Sequence, residues 1–262
     1  MDKYKKSFLK WAGGKYKILH HILQHIPVDS MYIEPFSGSG VVWLNVQNKN
    51  KIVNDINSDL INLFNLLDNN MIDACKKLFN DSDENKFYEY REEFNTTKDL
   101  YRKSILFIYL NRHCFNGLCR YNKSGKFNVP FGKYKTIYFP QNELQNFIIQ
   151  KKTVSFLNTN FDELFYKFGN DKNVCIYCDP PYDVLDSTSY FVDYSKESFG
   201  RNEQKILADC ILQSKCKVII SNHDTPFIRE IYKGLKFIEI EVQRNISCKN
   251  RRKVNEVIII KE

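Results

Sequence analysis

The chain has 262 residues, 43% hydrophobic and 15% aromatic, with a formal charge of +8. That composition excludes a disordered chain, and no apolar run reaches the length of a membrane span. It allows one large or two small domains, and the positive balance is compatible with a polyanionic partner.

In chain order, MDKYKKSFLKWAGGK lacks the apolar core of a signal peptide. The eight cysteines lack the spacing of a secreted scaffold, so a reduced, cytoplasmic setting is expected. A helical pattern over Tyr16–Ile26 leads to a strand-like run at Met31–Phe36, and another helix is expected over Val41–Gln47. Strand Lys51–Ile56 follows, then helix Asn57–Leu67, with Asn57 or Ser58 as its cap. The stretch Asn70 to Gln150 breaks the alternation: it is helical first, including Leu100–Arg112 with a wide apolar face, then aromatic and basic. Strands resume at Thr153–Leu157, Val174–Cys178, Cys216–Asn222, Phe237–Gln243 and Glu256–Ile260, with helices over Glu203–Gln213 and Pro226–Tyr232. This alternation predicts an α/β sheet with helices on both faces. The last connection is too short for a crossover helix, so the final two strands should form an antiparallel hairpin at one edge.

Cys175 and Cys178 have CxxC spacing, but on a strand they point to opposite faces. No second ligand pair follows, and no metal site is expected. Two basic clusters stand out. Arg120, Lys123, Lys126, Lys133 and Lys135 alternate with Phe115, Tyr121, Phe127, Phe131 and Tyr134, a mixture suited to phosphate contact and base stacking or to a solvated loop. Arg244, Lys249, Arg251, Arg252 and Lys253 form the second, either a DNA-contacting loop or a solvated one.

Glu34-Pro35-Phe36-Ser37-Gly38-Ser39-Gly40 closes the first strand. Its glycines permit a tight turn and close backbone approach to a ligand. Asp55, at the end of the second strand, can accept hydrogen bonds from ribose hydroxyls. With GxGxxG and GK[ST] both absent, the pattern favours a cofactor carrying adenosine without pyrophosphate, and S-adenosylmethionine fits. At the end of the fourth strand, CDPPY stops a buried run with two prolines, which have no N–H to give to a sheet.

FLKWAGGK, EPFSGSG, NDINSDLI, LNRHCFNGLCRYNKSGKFNVPFGKY, CDPPY and ISNHD occur in that order. This arrangement resembles the Dam-type DNA adenine-N6 methyltransferases of enteric bacteria. The resemblance implies a Rossmann-like, S-adenosylmethionine-dependent methyltransferase fold with a mixed seven-stranded sheet. Residues 1–56 and 145–262 would form the catalytic domain, and residues 57–144 an inserted helical DNA target-recognition domain. It also implies double-stranded DNA as partner, no membrane, no metal, no obligatory protein partner, and S-adenosylhomocysteine as the spent cofactor.

Carried over by position, Trp11, Ala12, Gly13 and Lys15 would line the cofactor site with residues Glu34 to Gly40, Asp55 and Ile56. Asn160, Phe161 and Asp162 would lie near its adenine, although Asp162 reads equally as a helix cap. Arg120 would contact a guanine edge, and Leu118 and Pro130 a thymine methyl. Lys10 and Tyr134 would read the first base pair, while Phe115 and Asn116 fill or wedge the flipping site beside Gly117 and Asn128. Lys133 and Arg91 would meet phosphate, with a helix-surface salt bridge as the other reading of Arg91. The family usually has Tyr at position 115 and Arg at position 133. The replacements keep stacking and charge but lose a hydroxyl and a bidentate fork.

For the reaction, the Asp179 carboxylate and Pro180 carbonyl would accept the two adenine N6 protons. Pro181 would stiffen the turn, Tyr182 would stack on the base, and methyl transfer would proceed in line on GATC adenine. Competing readings are an amino-methyltransferase acting on RNA or cytosine N4, and a DNA-binding module without catalysis. Asp179 disfavours cytosine, the recognition segment disfavours RNA, and the intact Lys15, Asp55, Asp179 and Tyr182 disfavour a silent module.

Overall fold

The structure, a computed structural model, describes residues 3–80, 83–183, 199–247 and 250–262; side chains from 242 to 255 lie outside that description. Seven segments form a single sheet: β1 (Met31–Glu34), β2 (Lys51–Asn54), β3 (Val154–Leu157), β4 (Val174–Cys178), β5 (Lys217–His223), β6 (Lys236–Ser247) and β7 (Asn250–Lys261). Their order is β3-β2-β1-β4-β5-β7-β6. The first five run parallel, while β7 is antiparallel to both β5 and β6. The fold is therefore α/β with a mixed sheet, and the final hairpin forms one edge as expected. From β1 the chain winds outward to β2 and β3, then returns to add β4 on the other side. Ligands of open α/β sheets bind at such a switch point, beyond the strands' carboxyl ends.

The nine α-helices among the described residues are α1 (Leu19–Leu23), α2 (Ser58–Leu66), α3 (Asn69–Leu78), α4 (Glu84–Thr96), α5 (Leu100–His113), α6 (Gln141–Gln150), α7 (Phe161–Phe168), α8 (Arg201–Gln213) and α9 (Pro226–Ile231). Short polar residues start several of them. Asn57, Asp68, Asp83, Asp99 and Thr225 each accept a backbone N–H of the following turn, a cap worth about 1 kcal/mol. None of these helices is long and apolar enough to cross a membrane.

Side chains alternate across the sheet and build two cores. Tyr32, Cys175, Tyr177 and Ile219 join Trp43, Phe64 and Phe147 on one face. Ile33, Ile176, Cys178 and Ile220 meet Leu207 and Ile211 on the other. Cys175 and Cys178 thus occupy opposite faces. Ile105, Leu106, Ile108 and Tyr109 of α5 continue the first core, so the helical segment is packed onto the sheet rather than tethered to it.

Three expectations are corrected. Val41–Gln47 is a run of turns rather than a helix. Val41, Val42, Trp43, Leu44 and Val46 are all buried, and only Asn45 and Gln47 keep accessible surface, too little for the solvent face of a helix. The helix expected over Tyr16–Ile26 divides into a 3-10 turn, Lys15–Ile18, and α1, because Ile18 leaves helical geometry at φ −110°. The final hairpin extends to Ser247 and resumes at Asn250, because the antiparallel register continues through Arg244↔Arg252 and Asn245↔Arg251. Arg244, Arg251, Arg252 and Lys253 therefore lie on paired strands rather than in a loop; Lys249 and all these side chains fall outside the described residues.

At the end of α5, His113 is fully buried and stacks on Tyr109 at 3.8 Å. Its Nδ1 donates to the Tyr109 carbonyl at 2.7 Å. Burial, with the charges of Lys10 and Arg112, lowers its pKa to about 4. The unfolded chain takes up this proton near pH 6.5 and the folded chain does not. Stability is therefore expected to fall as pH drops from about 6.5 to about 4, and thermal melts should show a shallower acid slope in His113→Phe.

Candidate active site and nucleic-acid face

The carboxyl ends of β1, β2 and β3 are strapped together by Asn54. Its amide donates to the carbonyls of Pro35 and Thr159 at 3.0 Å each and accepts the Thr159 N–H at 2.9 Å. Sequence reasoning passed over Asn54; its only signal was its place beside Asp55. The glycine turn follows, with Gly38 at φ +47° and Gly40 at φ +78°. A Cβ on Gly38 would stand 2.7 Å from Trp11 Nε1, and one on Gly40 would overlap the Trp43 indole. Both aromatics thus depend on bare backbone.

Asp55 braces this turn: Oδ2 accepts the Gly38 N–H at 2.9 Å and Oδ1 the Asn57 N–H at 3.0 Å. Burial raises its pKa, against the lowering effect of those two bonds. Glu34 lies deeper, accepting the Tyr32 hydroxyl at 2.7 Å, and burial holds its carboxyl well above the usual range. Pro35 and Ser39 are buried, and Phe36 packs with Phe161 and Phe199 at 5.5 Å each. Asn160 and Asp162 are exposed at the start of α7. Asp162 accepts the adjacent Glu163 N–H, and Asn160 occupies the cap position without a side-chain bond. Ala12 and Gly13 are exposed beside Trp11.

This edge fits an adenosine-bearing cofactor on its own geometry. Ser37 Oγ is buried without a hydrogen-bond partner among the described residues. Ile56, beside Asp55, leaves 63% of its surface exposed, an apolar platform for a base. Among the described residues no cluster of three or more His, Cys, Asp or Glu could hold a metal ion.

Asp179 follows β4 directly. Its Oδ1 stands 2.8 Å from the Lys15 ammonium, whose side chain is 5% exposed against 20% for Asp179. Lys15 also donates to the Gly13 carbonyl at 2.7 Å and lies 4.5 Å from the Tyr182 ring centroid. Burial raises the Asp179 pKa; the Lys15 charge lowers it, Glu256 raises it, and the Tyr182 hydroxyl lowers it. Pro180 is buried, and the Pro181 carbonyl accepts from Gln204 at 2.7 Å. Two residues on, buried Asp183 accepts from Arg201 at 3.0 Å and Thr225 at 2.8 Å, while its carbonyl meets His223 Nδ1 at 2.7 Å. Together, β5 and α8 fix a turn that carries no sheet bonds of its own.

The recognition segment gathers at the end of α5. Asn111 clamps Lys10, accepting its N–H and donating to its carbonyl at 2.8 Å each. The Lys10 ammonium lies 4.0 Å from the Tyr134 ring centroid, and burial, then Arg112, lowers its pKa. Gly117, at φ +63°, sits against the Lys10 stem. Phe115 is 49% exposed, with exposed Asn116 at φ +55° next to it; Leu118 is half-buried and Pro130 exposed. Arg120 projects at the surface, its Nε donating to Asn128 Oδ1 at 2.8 Å. Lys133 is exposed, 3.6 Å from Glu84. Among the described residues Arg91 makes no helix-surface salt bridge: half-buried, it donates to the Val129 carbonyl at 3.1 Å and lies over Tyr88. Lys10 through Lys15 connect this face to Asp179 within six residues of chain.

A glycine turn, a second-strand carboxylate and an acceptor turn on one edge of this mixed sheet describe a Rossmann-like methyltransferase. Residues 11–246 match the D12 class N6 adenine-specific DNA methyltransferase family, and the chain belongs to it. It is an adenine-specific DNA methyltransferase. Relatives named DNA adenine methylase include those of Haemophilus influenzae (44% identity; 97% of this chain and 93% of that protein covered), Serratia marcescens (42%; 98% and 99%) and Escherichia coli K12 (40%; 98% and 96%). Among solved structures, precorrin-6y C5,15-methyltransferase of Geobacter metallireducens superposes with a TM-score of 0.36 at 9% identity, covering 93% of this chain and 84% of that one.

Gly40→Ala combines a left-handed backbone with a Cβ inside the Trp43 indole. It should destabilise the protein by about 2 kcal/mol or more in urea melts.

Proposed function

We propose that this enzyme methylates adenine N6 within GATC of duplex DNA, with S-adenosylmethionine as donor and S-adenosylhomocysteine released. The observation that carries the proposal is Asp179, fixed beyond β4 beside buried Lys15 and facing the same edge as the glycine turn and Asp55. Bound there, the cofactor supplies an electrophilic methyl group on a sulfonium centre. Asp55 would hold ribose hydroxyls, Ser37 and the glycine turn would line the methionine end, and Ile56 would support the adenine.

The target nitrogen is a weak nucleophile because its lone pair is delocalised into the ring. Acceptance of its two protons by the Asp179 carboxylate and Pro180 carbonyl localises that pair and aims it for in-line attack. Asp179 also stabilises the positive charge that develops on nitrogen, so strong basicity is not required. Because the turn lies at the sheet edge, a duplex adenine must leave its stack to reach it.

Residues 57–144 are assigned to DNA reading, and residues 1–56 and 145–262 to methyl transfer, in a cytoplasmic enzyme. Exposed Phe115 and left-handed Asn116 are placed to fill the gap left by the base. Arg120 is placed to give its fork to a guanine and Lys133 its charge to a phosphate. The choice of GATC rests on the match of this segment to the Dam-type enzymes, and adenine methylation of DNA on the named relatives.

Expression in a methylation-free host should make genomic GATC sites cleavable by a methyl-dependent nuclease. Unchanged digestion with soluble protein present would refute the site assignment. Asp179→Ala should abolish transfer while retaining DNA binding within about threefold, because phosphate contacts supply most of the affinity. Arg120→Ala should cost about 1–3 kcal/mol of discrimination at one base pair, read from rates on single-substituted duplexes.

A further inference from the structure

Tyr182 is held by two residues that face each other across the β5–β7 pair. His223 and Glu256 are register partners on those strands. The Tyr182 ring meets the His223 imidazole edge-on at 4.7 Å, and its hydroxyl donates to Glu256 Oε2 at 3.0 Å. Glu256 is 2% exposed, a buried carboxylate that the reaction as described leaves without a role. The same hydroxyl also interacts with the Asp179 carboxylate. A phenol has one proton to donate. Given to Asp179, it would occupy an acceptor that the adenine amino group needs; given to Glu256, it leaves that acceptor available.

We propose that Glu256 is a positioning residue for methyl transfer: it accepts the Tyr182 proton, holding the ring in its stacking orientation and keeping Asp179 as an acceptor for the target nitrogen. The proposal rests on the adenine-N6 reading of the Asp179 turn. Lys15, at 2.8 Å from Oδ1, already faces one Asp179 oxygen, so a second donor from Tyr182 would compete with the substrate proton and weaken the carboxylate as its acceptor.

The test is single-turnover methyl transfer to a GATC duplex by the full-length enzyme loaded with S-adenosylmethionine, with thermal melts of each variant. Glu256→Met removes the acceptor at similar length and should slow transfer more than about tenfold, with KM for the duplex within about twofold. Glu256→Gln retains an acceptor oxygen and should stay within about tenfold. Tyr182→Phe removes the competing proton and sets the reference rate for the double variant. The double variant should recover to the Tyr182→Phe rate, a rescue that a merely structural role for Glu256 would not give. A double variant as slow as Glu256→Met overturns the proposal, as does a normal rate in Glu256→Met. So does a Glu256→Gln rate below its limit, which stands as a test even if Glu256→Met does not fold. A wild type inactive on GATC overturns the underlying reading as well, whereas an active wild type with no rescue overturns the Glu256 role alone.

Discussion

The ion pair between Lys15 and Asp179 is the constraint around which the site is organised. An ammonium and a carboxylate withdrawn from water incur a large desolvation cost, and such a pair persists only where geometry and further polar contacts compensate. Here the compensation comes from chain segments far apart in sequence. Gly13 offers its carbonyl to the ammonium and Tyr182 its ring, while the turn after β4 holds the carboxylate. The result is a carboxylate held in place without substrate; in the proposed role as acceptor, preorganisation of this kind lowers a barrier more effectively than binding strength.

The sheet explains why these segments meet. Its winding reverses between β1 and β4, which opens a crevice above their carboxyl ends. Asn54 ties the loops on the cofactor side of that crevice, and Asp183, Gln204 and Thr225 tie the turn on the acceptor side. The N-terminal segment runs from Lys10, packed on Tyr134 and Asn111, to Lys15, in the crevice, and so joins the end of α5 to the Asp179 turn. Because α5 belongs to the sheet's own core, the face proposed to read DNA rests on the packed body of the fold.

Much of this was legible in the sequence because backbone chemistry leaves strong local marks. Two prolines end β4, two glycines with positive φ follow β1, and Asn57 caps α2; each is a local event with few alternatives. The paired edge hairpin and the opposed faces of Cys175 and Cys178 follow from connection length and strand periodicity. What stayed hidden depends on distant partners. Val41–Gln47 has helical spacing, but Trp43 packs among Phe64, Phe147 and Phe156, and burial of five of the seven residues overrides the periodicity. Arg91 reads as a surface cation until α4 meets the Val129 carbonyl. Glu256 reads as one polar residue in a β-strand, and its contact with Tyr182 spans 74 positions. The extent of the last hairpin was hidden because Arg244, Arg251, Arg252 and Lys253 belong to a charged run that resembles a loop in sequence.

The most direct test of this account is the pH dependence of single-turnover transfer in Lys15→Met. Burial raises the Asp179 pKa and the Lys15 charge lowers it. Removal of that charge should therefore move the acid limb of the rate profile to higher pH, and Lys15→Arg should leave it near the wild-type position. An acid limb that stays in place in Lys15→Met would contradict the coupling of Lys15 to the acceptor carboxylate on which the account depends.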